Sequence, residues 1–391
     1  MHALRILSLF AGMAFAVWPG SGPAEELFRL DDPRGDDFGA GDLVYPNRPD
    51  FERGSLDLEY LEARSTEDGT WFTVRFGRPL PHPRDATQEI GGEPMEYLAR
   101  DGFYTLNVDI YIDKDRVAGS GNTFTLPGRL VDVHRESAWE QAVILTPRPQ
   151  VARAWYALHL GRVGEEELRA EKGKVEKGDQ ASIDAQVEER IDETVYFSER
   201  IRVRGREIQF FVPEDFLGGP AREDWAYTVL VTAADAEQAG RVLNISPGGF
   251  TLMAMQVAPG IARDRLGIVN QGDVNQPPVM DVLAPSVEAQ KRALSDYDVV
   301  APRLASVPGV SPSGRPATPA AAAAAGPAGA QQPGTGPAPS MEAPLPEAGV
   351  PAAPGRRTIP SRLKTLNSLK EEGLISEEEY QQLRRKILSE I

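Results

Sequence analysis

The chain has 391 residues, with 58 acidic against 42 basic side chains, a formal net charge of -16 and no cysteine. So acidic a balance repels nucleic acid, whose phosphate backbone is bound through clustered Lys and Arg. The missing thiols exclude disulfides, thiolate metal sites, thiol catalysis and lipidation at a cysteine.

The first element is a secretory leader. His2 and Arg5 precede an apolar stretch from Ile6 to Trp18, broken only by Ser8 and closed by Pro19. It falls short of the roughly 18–20 residues that span a bilayer, so residues 1–24 read as a signal peptide. Cleavage after Ala24 is preferred to cleavage after Ala16, since the folded part begins near Leu27. The mature chain is expected outside the cytoplasm: periplasmic, at the cell surface or secreted. No later segment is long and apolar enough to cross a membrane.

Next comes Asp31-Asp32-Pro33-Arg34-Gly35-Asp36-Asp37-Phe38-Gly39-Ala40-Gly41-Asp42, followed by Tyr45-Pro46. Carboxylates this close repel one another unless something neutralises them. One reading is a structural calcium site with Asp31, Asp36 and Asp37 as ligands, because calcium takes six to eight carboxylate and carbonyl oxygens. The other is a run of Asp-rich turns whose side chains cap their own backbone amides. The spacing is not that of an EF-hand.

From about Leu27 to Val300 the chain reads as β. Phe72, Val74 and Phe76 alternate with Trp71, Thr73 and Arg75. Tyr104 to Ile112 alternates with its even positions apolar, and Ile208, Phe210 and Val212 alternate before Pro213. Glu140 to Leu145, Val151 to Leu158, Ile201 to Arg204 and Trp225 to Thr232 are further expected strands. Many short strands between Gly, Pro and Asp clusters predict a mainly β fold, an immunoglobulin-like or jelly-roll-type sandwich over residues 25–300. Gly164 to Glu193 interrupts it. This stretch is highly charged, with Ile183, Val187 and Ile191 at helical spacing, and reads as an exposed helical excursion.

The opening Leu27-Phe28, the loop from Asp32 to Gly41, Tyr45-Pro46 and Gly54-Ser55-Leu56-Asp57-Leu58 together resemble the start of the glucodextranase C-terminal domain family. Val108 to Asp113, Trp139-Glu140-Gln141-Ala142, Val212-Pro213, Leu217-Gly218, Asp224 to Tyr227, Pro278 to Leu283 and Gln290 follow in the family's order. The resemblance covers most of residues 27–297. It implies a β-sandwich akin to family 9 carbohydrate-binding modules, of the kind found on secreted and surface-layer-associated glycan enzymes. It does not carry over the hydrolase activity of glucodextranase, whose catalytic α-barrel has no counterpart in the matched motifs.

Residues 301–360 are mostly Pro, Ala, Gly and Ser and are expected to form a disordered linker reaching on the order of 45 Å. Residues 361–391 then predict two amphipathic helices around Gly373-Leu374-Ile375, the second opened by a Ser376/Glu379 capping box. Leu366, Leu369, Gly373-Leu374-Ile375, Glu378 to Tyr380 and Leu383 resemble the short C-terminal domain called SHOCT. A hairpin this small does not bury a secure core. Its stripe of Leu366, Leu369, Leu383 and Ile387 is therefore expected to dock, on another copy of the chain or on an envelope protein.

Sugar modules stack pyranose rings on aromatic side chains. Trp71, on the polar side of its strand, is the candidate platform, against the commoner fate of Trp as packing. Asn107, Asp109 and Tyr111 share one strand face and are candidate hydroxyl partners; the alternative is a solvated strand face. No P-loop, H-E-x-x-H or G-x-S-x-G motif occurs, and His82, His134 and His159 have no triad or ligand spacing. The expected function is a non-catalytic carbohydrate-binding sandwich with structural calcium and a docking hairpin. An envelope assembly protein whose sandwich binds protein is the second reading. A glycan-active enzyme is the third, because two acids roughly 5–10 Å apart leave no sequence signature.

Overall fold

The computed structural model describes residues 25–41, 43, 45, 49–86, 89–90, 93–234, 276–298 and 303–319. The expected leader, the hairpin and all but the first part of the expected linker lie outside these residues. The strands are β1 (Glu25–Asp31), β2 (Leu58–Thr66), β3 (Gly69–Phe76), β4 (Glu89–Ile90), β5 (Glu93–Pro94), β6 (Leu106–Asp113) and β7 (Val131–Val133), then β8 (Gln141–Leu145), β9 (Val195–Phe197), β10 (Ile201–Arg204), β11 (Glu207–Pro213), β12 (Ala226–Ala233), β13 (Val279–Val282) and β14 (Ala305–Val307). The helices are α1 (Met95–Leu98), α2 (Pro149–Lys172), α3 (Lys177–Thr194), α4 (Glu214–Leu217) and α5 (Val287–Ser295).

Period-two alternation becomes two layered five-stranded sheets. The first runs β1-β2-β3-β11-β10 and is antiparallel throughout. The second runs β13-β12-β6-β8-β9, antiparallel except for the β8–β9 pair. Phe72, Val74 and Phe76 of β3 and Ile208, Phe210 and Val212 of β11 meet Val108, Ile110 and Ile112 of β6 and Val229 and Val231 of β12 in one core. Each such side chain contributes about 1.5–3 kcal/mol by leaving water, which is why the alternation selects this register.

The outer face of the second sheet holds a second core. Tyr111, Ile144, Leu230 and Val282 from the strands pack with Tyr156 of α2, Ile183, Val187 and Ile191 of α3, and Leu294 of α5. The helical excursion is therefore not simply exposed: its apolar stripe covers a sheet. Val151 to Leu158, expected as a strand, lies inside α2. Pro149 in the first turn suits a helix start, and Ala152, Ala154 and Ala157 favour helix over strand. Gly173, at φ 77°, then ends it in the left-handed conformation.

The segment assigned to the linker from residue 301 begins as part of the sandwich. β14 pairs in parallel with β7, Val310 bridges Tyr227, and Thr318 bridges Val117. Ala305 and Val307 enter the second core despite the Pro-rich surroundings, so composition alone placed the boundary too early.

Candidate functional site

Among the described residues, no layer of helices crosses the outer face of the first sheet. Register sets out its side chains. Arg64 of β2, Trp71 of β3 and Phe211 of β11 lie side by side, and Tyr60, Arg75 and Glu207 form a parallel row. Trp71 is half-buried, with its ring centroid 5.5 Å from that of Phe211. The Arg202 guanidinium lies 4.5 Å from the Trp71 ring and that of Arg200 4.0 Å from Phe211. In that parallel row, the Tyr60 hydroxyl donates to Glu207 Oε1 at 3.0 Å and Arg75 Nη1 donates to the same oxygen at 2.6 Å. Arg75 Nε also donates to Glu59 at 2.8 Å. The face thus offers the partly exposed Trp71 ring beside fixed guanidinium and carboxylate groups, a chemistry suited to the apolar faces and hydroxyls of sugars, while Phe211 and Tyr60, 4% and 7% exposed, are buried beneath Arg200 and Arg29.

Asn107, Asp109 and Tyr111 are not on an open face. They are 0%, 1% and 1% exposed, on the side of β6 roofed by the second core. Arg129, itself buried, donates to Asp109 through Nε at 2.5 Å and Nη2 at 2.9 Å, and the Tyr111 hydroxyl adds a bond at 3.2 Å. Leu126 N–H donates to that hydroxyl at 2.9 Å. Asp109, Arg129 and Tyr111 thus bind one another, and Asn107 Nδ2 donates to the Thr232 hydroxyl at 3.2 Å. The expectation that they meet a ligand from solvent fails because helices cover what a single strand shows as a polar edge.

The acidic loop after β1 folds inward, with a different membership from that expected. Asp31 is exposed and accepts from Arg29 at 2.8 Å, away from the interior. Asp36 and Asp37 are buried, and so are Asp32, Asp57 and Asp281. Carboxylate oxygens of Asp32, Asp36 and Asp281 lie within 4.8 Å of one another. Gly39, at φ 61°, lets the loop press against β13; a Cβ there would meet Leu43 at 2.6 Å and the Val279 carbonyl at 2.8 Å. Gln290 of α5 ties the loop down, donating to the Asp36 carbonyl at 2.5 Å while its Oε1 accepts from Val282 N–H at 3.0 Å.

Backbone amides hold some of the oxygens. Ala284 N–H donates to Asp32 Oδ1, Leu58 and Val282 N–H to Asp281, and Gly35 N–H to Asp57. Asp37 accepts from Tyr45 and from Gly54 N–H. Among the described residues, Asp32 Oδ2, Asp37 Oδ1 and both oxygens of Asp36 have no hydrogen-bond partner. Burial, reinforced by neighbouring carboxylates, pushes the Asp32 carboxyl up to about 9, Asp36 to about 7 and Asp57 to about 6, and Asp281 well above its usual range. Sequence reasoning missed Asp32, Asp57 and Asp281. Their signal is an acid set between apolar neighbours, as in Leu56-Asp57-Leu58 and Met280-Asp281-Val282. A second acidic group, Asp113, Asp115 and Glu140, is matched internally: Arg116 donates to both oxygens of Asp113, at 2.6 and 2.8 Å.

No helix among the described residues is long and apolar enough to cross a membrane. No curated protein matches the chain. The family model of the short C-terminal domain, SHOCT, matches residues 361–388. That of the C-terminal, SLH-like binding module of glucodextranase matches residues 27–309, which takes in both sheets, the acidic loop and α5. It describes a binding module and not a catalytic domain, and with the larger part of its length inside that match the chain belongs to the family of SLH-like C-terminal binding modules of glucodextranase.

Proposed function

We propose that this protein is an exported, non-catalytic carbohydrate-binding module that holds a cell-surface or periplasmic glycan on the outer face of its first sheet, with calcium as a structural ion. The observation that carries this reading is the outer face of the first sheet, which no layer of helices covers among the described residues and on which the partly exposed Trp71 lies beside Arg64 and Arg202. Family membership supports the carbohydrate class, and the SLH-like description supports a place at the cell surface. The leader at residues 1–24 fits export. In this layout the linker, from about residue 320 to 360, tethers the sandwich to the hairpin at 361–391, which docks on another copy or on an envelope protein.

Affinity electrophoresis of the full chain through gels containing dextran, other α-glucans or solubilised cell-wall glycan tests the function. Retardation by at least one of these polysaccharides is expected. Unaltered mobility in all of them, with retention on envelope proteins instead, would favour a protein-binding sandwich.

A further inference from the structure

The orphaned oxygens of the acidic cluster are the least explained feature of the molecule. Asp36 is fully buried, yet among the described residues neither of its carboxylate oxygens has a hydrogen-bond partner, and one oxygen of Asp32 is in the same condition. A buried polar atom without a partner costs about 1–3 kcal/mol, and more when charged. These two carboxylates and that of Asp281, whose oxygens accept only from backbone amides among the described residues, have ligand atoms within 4.8 Å of one another and call for a counter-charge. No basic side chain donates a hydrogen bond to Asp32, Asp36 or Asp281 among the described residues; the bonds they receive come from backbone amides. The Lys291 ammonium lies 5.0 Å from the Phe38 ring and makes no hydrogen bond to these carboxylates among the described residues.

We infer that Asp32, Asp36 and Asp281 form a divalent-cation site whose preferred ion is calcium, and that the ion fastens the loop after β1 to β13 in the opposite sheet. The inference deepens the calcium part of the proposed function and is independent of its glycan part. The donors are all carboxylate oxygens, with no histidine or cysteine in the group, which selects a hard cation. Coordination habit favours calcium, which takes six to eight carboxylate and carbonyl oxygens in flexible geometry, whereas magnesium demands near-ideal octahedral geometry and keeps several waters. The three side chains start from two places far apart in sequence, the loop at residues 32–36 and a strand at residue 281. A shared ion would close the sandwich as a disulfide does in chains with cysteine, of which this one has none. Gln290, Gly39 and the Ala284 amide place the ligands without supplying charge.

The test uses the purified full chain, stripped with chelator and titrated with calcium chloride alone, read by calorimetry and by thermal melting. The wild type should bind one calcium and gain melting temperature, with magnesium giving a smaller shift. Asp36→Asn, which keeps the shape and removes the charge, should bind calcium at least about 100-fold more weakly, beyond the loss typical of an outer-shell partner. Without metal it should melt no lower than the stripped wild type, because a repelling carboxylate is gone; this keeps the result readable if Asp281→Asn fails to fold. Asp31→Asn should behave as the wild type. If calcium neither binds nor changes the melting curve, the carboxylates are protonated instead, and both the site and the calcium reading fall. If calcium binds equally well to Asp36→Asn, calcium stands but this site is refuted.

Discussion

Asp109→Asn should be among the most damaging single substitutions in the sandwich. Asp109 and Arg129 are 1% and 0% exposed, and the guanidinium donates two bonds to the carboxylate, at 2.5 and 2.9 Å. The amide replacement keeps the volume but leaves a buried guanidinium without a counter-charge. Breaking one side of such a pair costs about 3–5 kcal/mol, because the remaining charge stays desolvated. Domains are typically stable by about 5–15 kcal/mol, so the loss is a large share of the total. Urea denaturation should show a midpoint lower by on the order of 1 M or more with little change in slope. The double variant Asp109→Leu/Arg129→Met removes both charges and should recover most of the loss. Wherever the variants fold, glycan binding should be unchanged, since this pair lies beneath helices on the opposite side of the sandwich from Trp71. A loss below about 1 kcal/mol for Asp109→Asn would mean that water reaches the pair. That face of β6 would then be open to a ligand after all.

Two further perturbations probe separate parts of the chain. Burial, together with Asp115 and Asp113, raises the Glu140 carboxyl from its ordinary value to about 7. A raised folded-state value means that stability is fully present below about pH 4.5 and is lost as pH rises toward 7; Glu140→Gln should flatten this fall by on the order of 1 kcal/mol after allowing for solvent screening of a half-buried group. Melting curves at pH 5 and pH 8 in excess calcium check it, and parallel curves for the two proteins would count against the assignment. Deleting residues 361–391 should leave glycan binding and melting unchanged while reducing the assembled mass in light scattering or releasing the protein from the envelope. Identical mass and identical cell fraction would remove the docking role of Leu366, Leu369, Leu383 and Ile387.

The sandwich was legible because its inward positions alternate in short runs, as in Phe72, Val74 and Phe76. What a single strand cannot report is what lies across its other face. Asn107, Asp109 and Tyr111 look solvent-facing until α2 and α3 are laid over them, and the partner of Asp109 is 20 residues away in sequence. The helix beginning at Pro149 was misread because its apolar residues satisfy both periods; the alanines and the proline were the better guide. In the acidic loop the residue type was informative and the register was not. Asp31 and Asp32 are neighbours, yet β1 ends between them and turns one outward and the other inward. Asp281 lies 245 residues beyond Asp36, and only the pairing of β13 with β12 brings it there. Trp71 lies on the side of β3 away from the core formed by Phe72, Val74 and Phe76, the side its neighbours Thr73 and Arg75 share.

The most direct measurement is calorimetric titration of the full chain and of Trp71→Ala with the polysaccharide that retards the wild type. The structure predicts saturable binding by the wild type. It predicts a loss of at least about 2 kcal/mol, roughly 30-fold in Kd, for Trp71→Ala at unchanged melting temperature, as for an aromatic anchor of an interface. Equal affinity of the two proteins would show that the glycan does not lie on this sheet face.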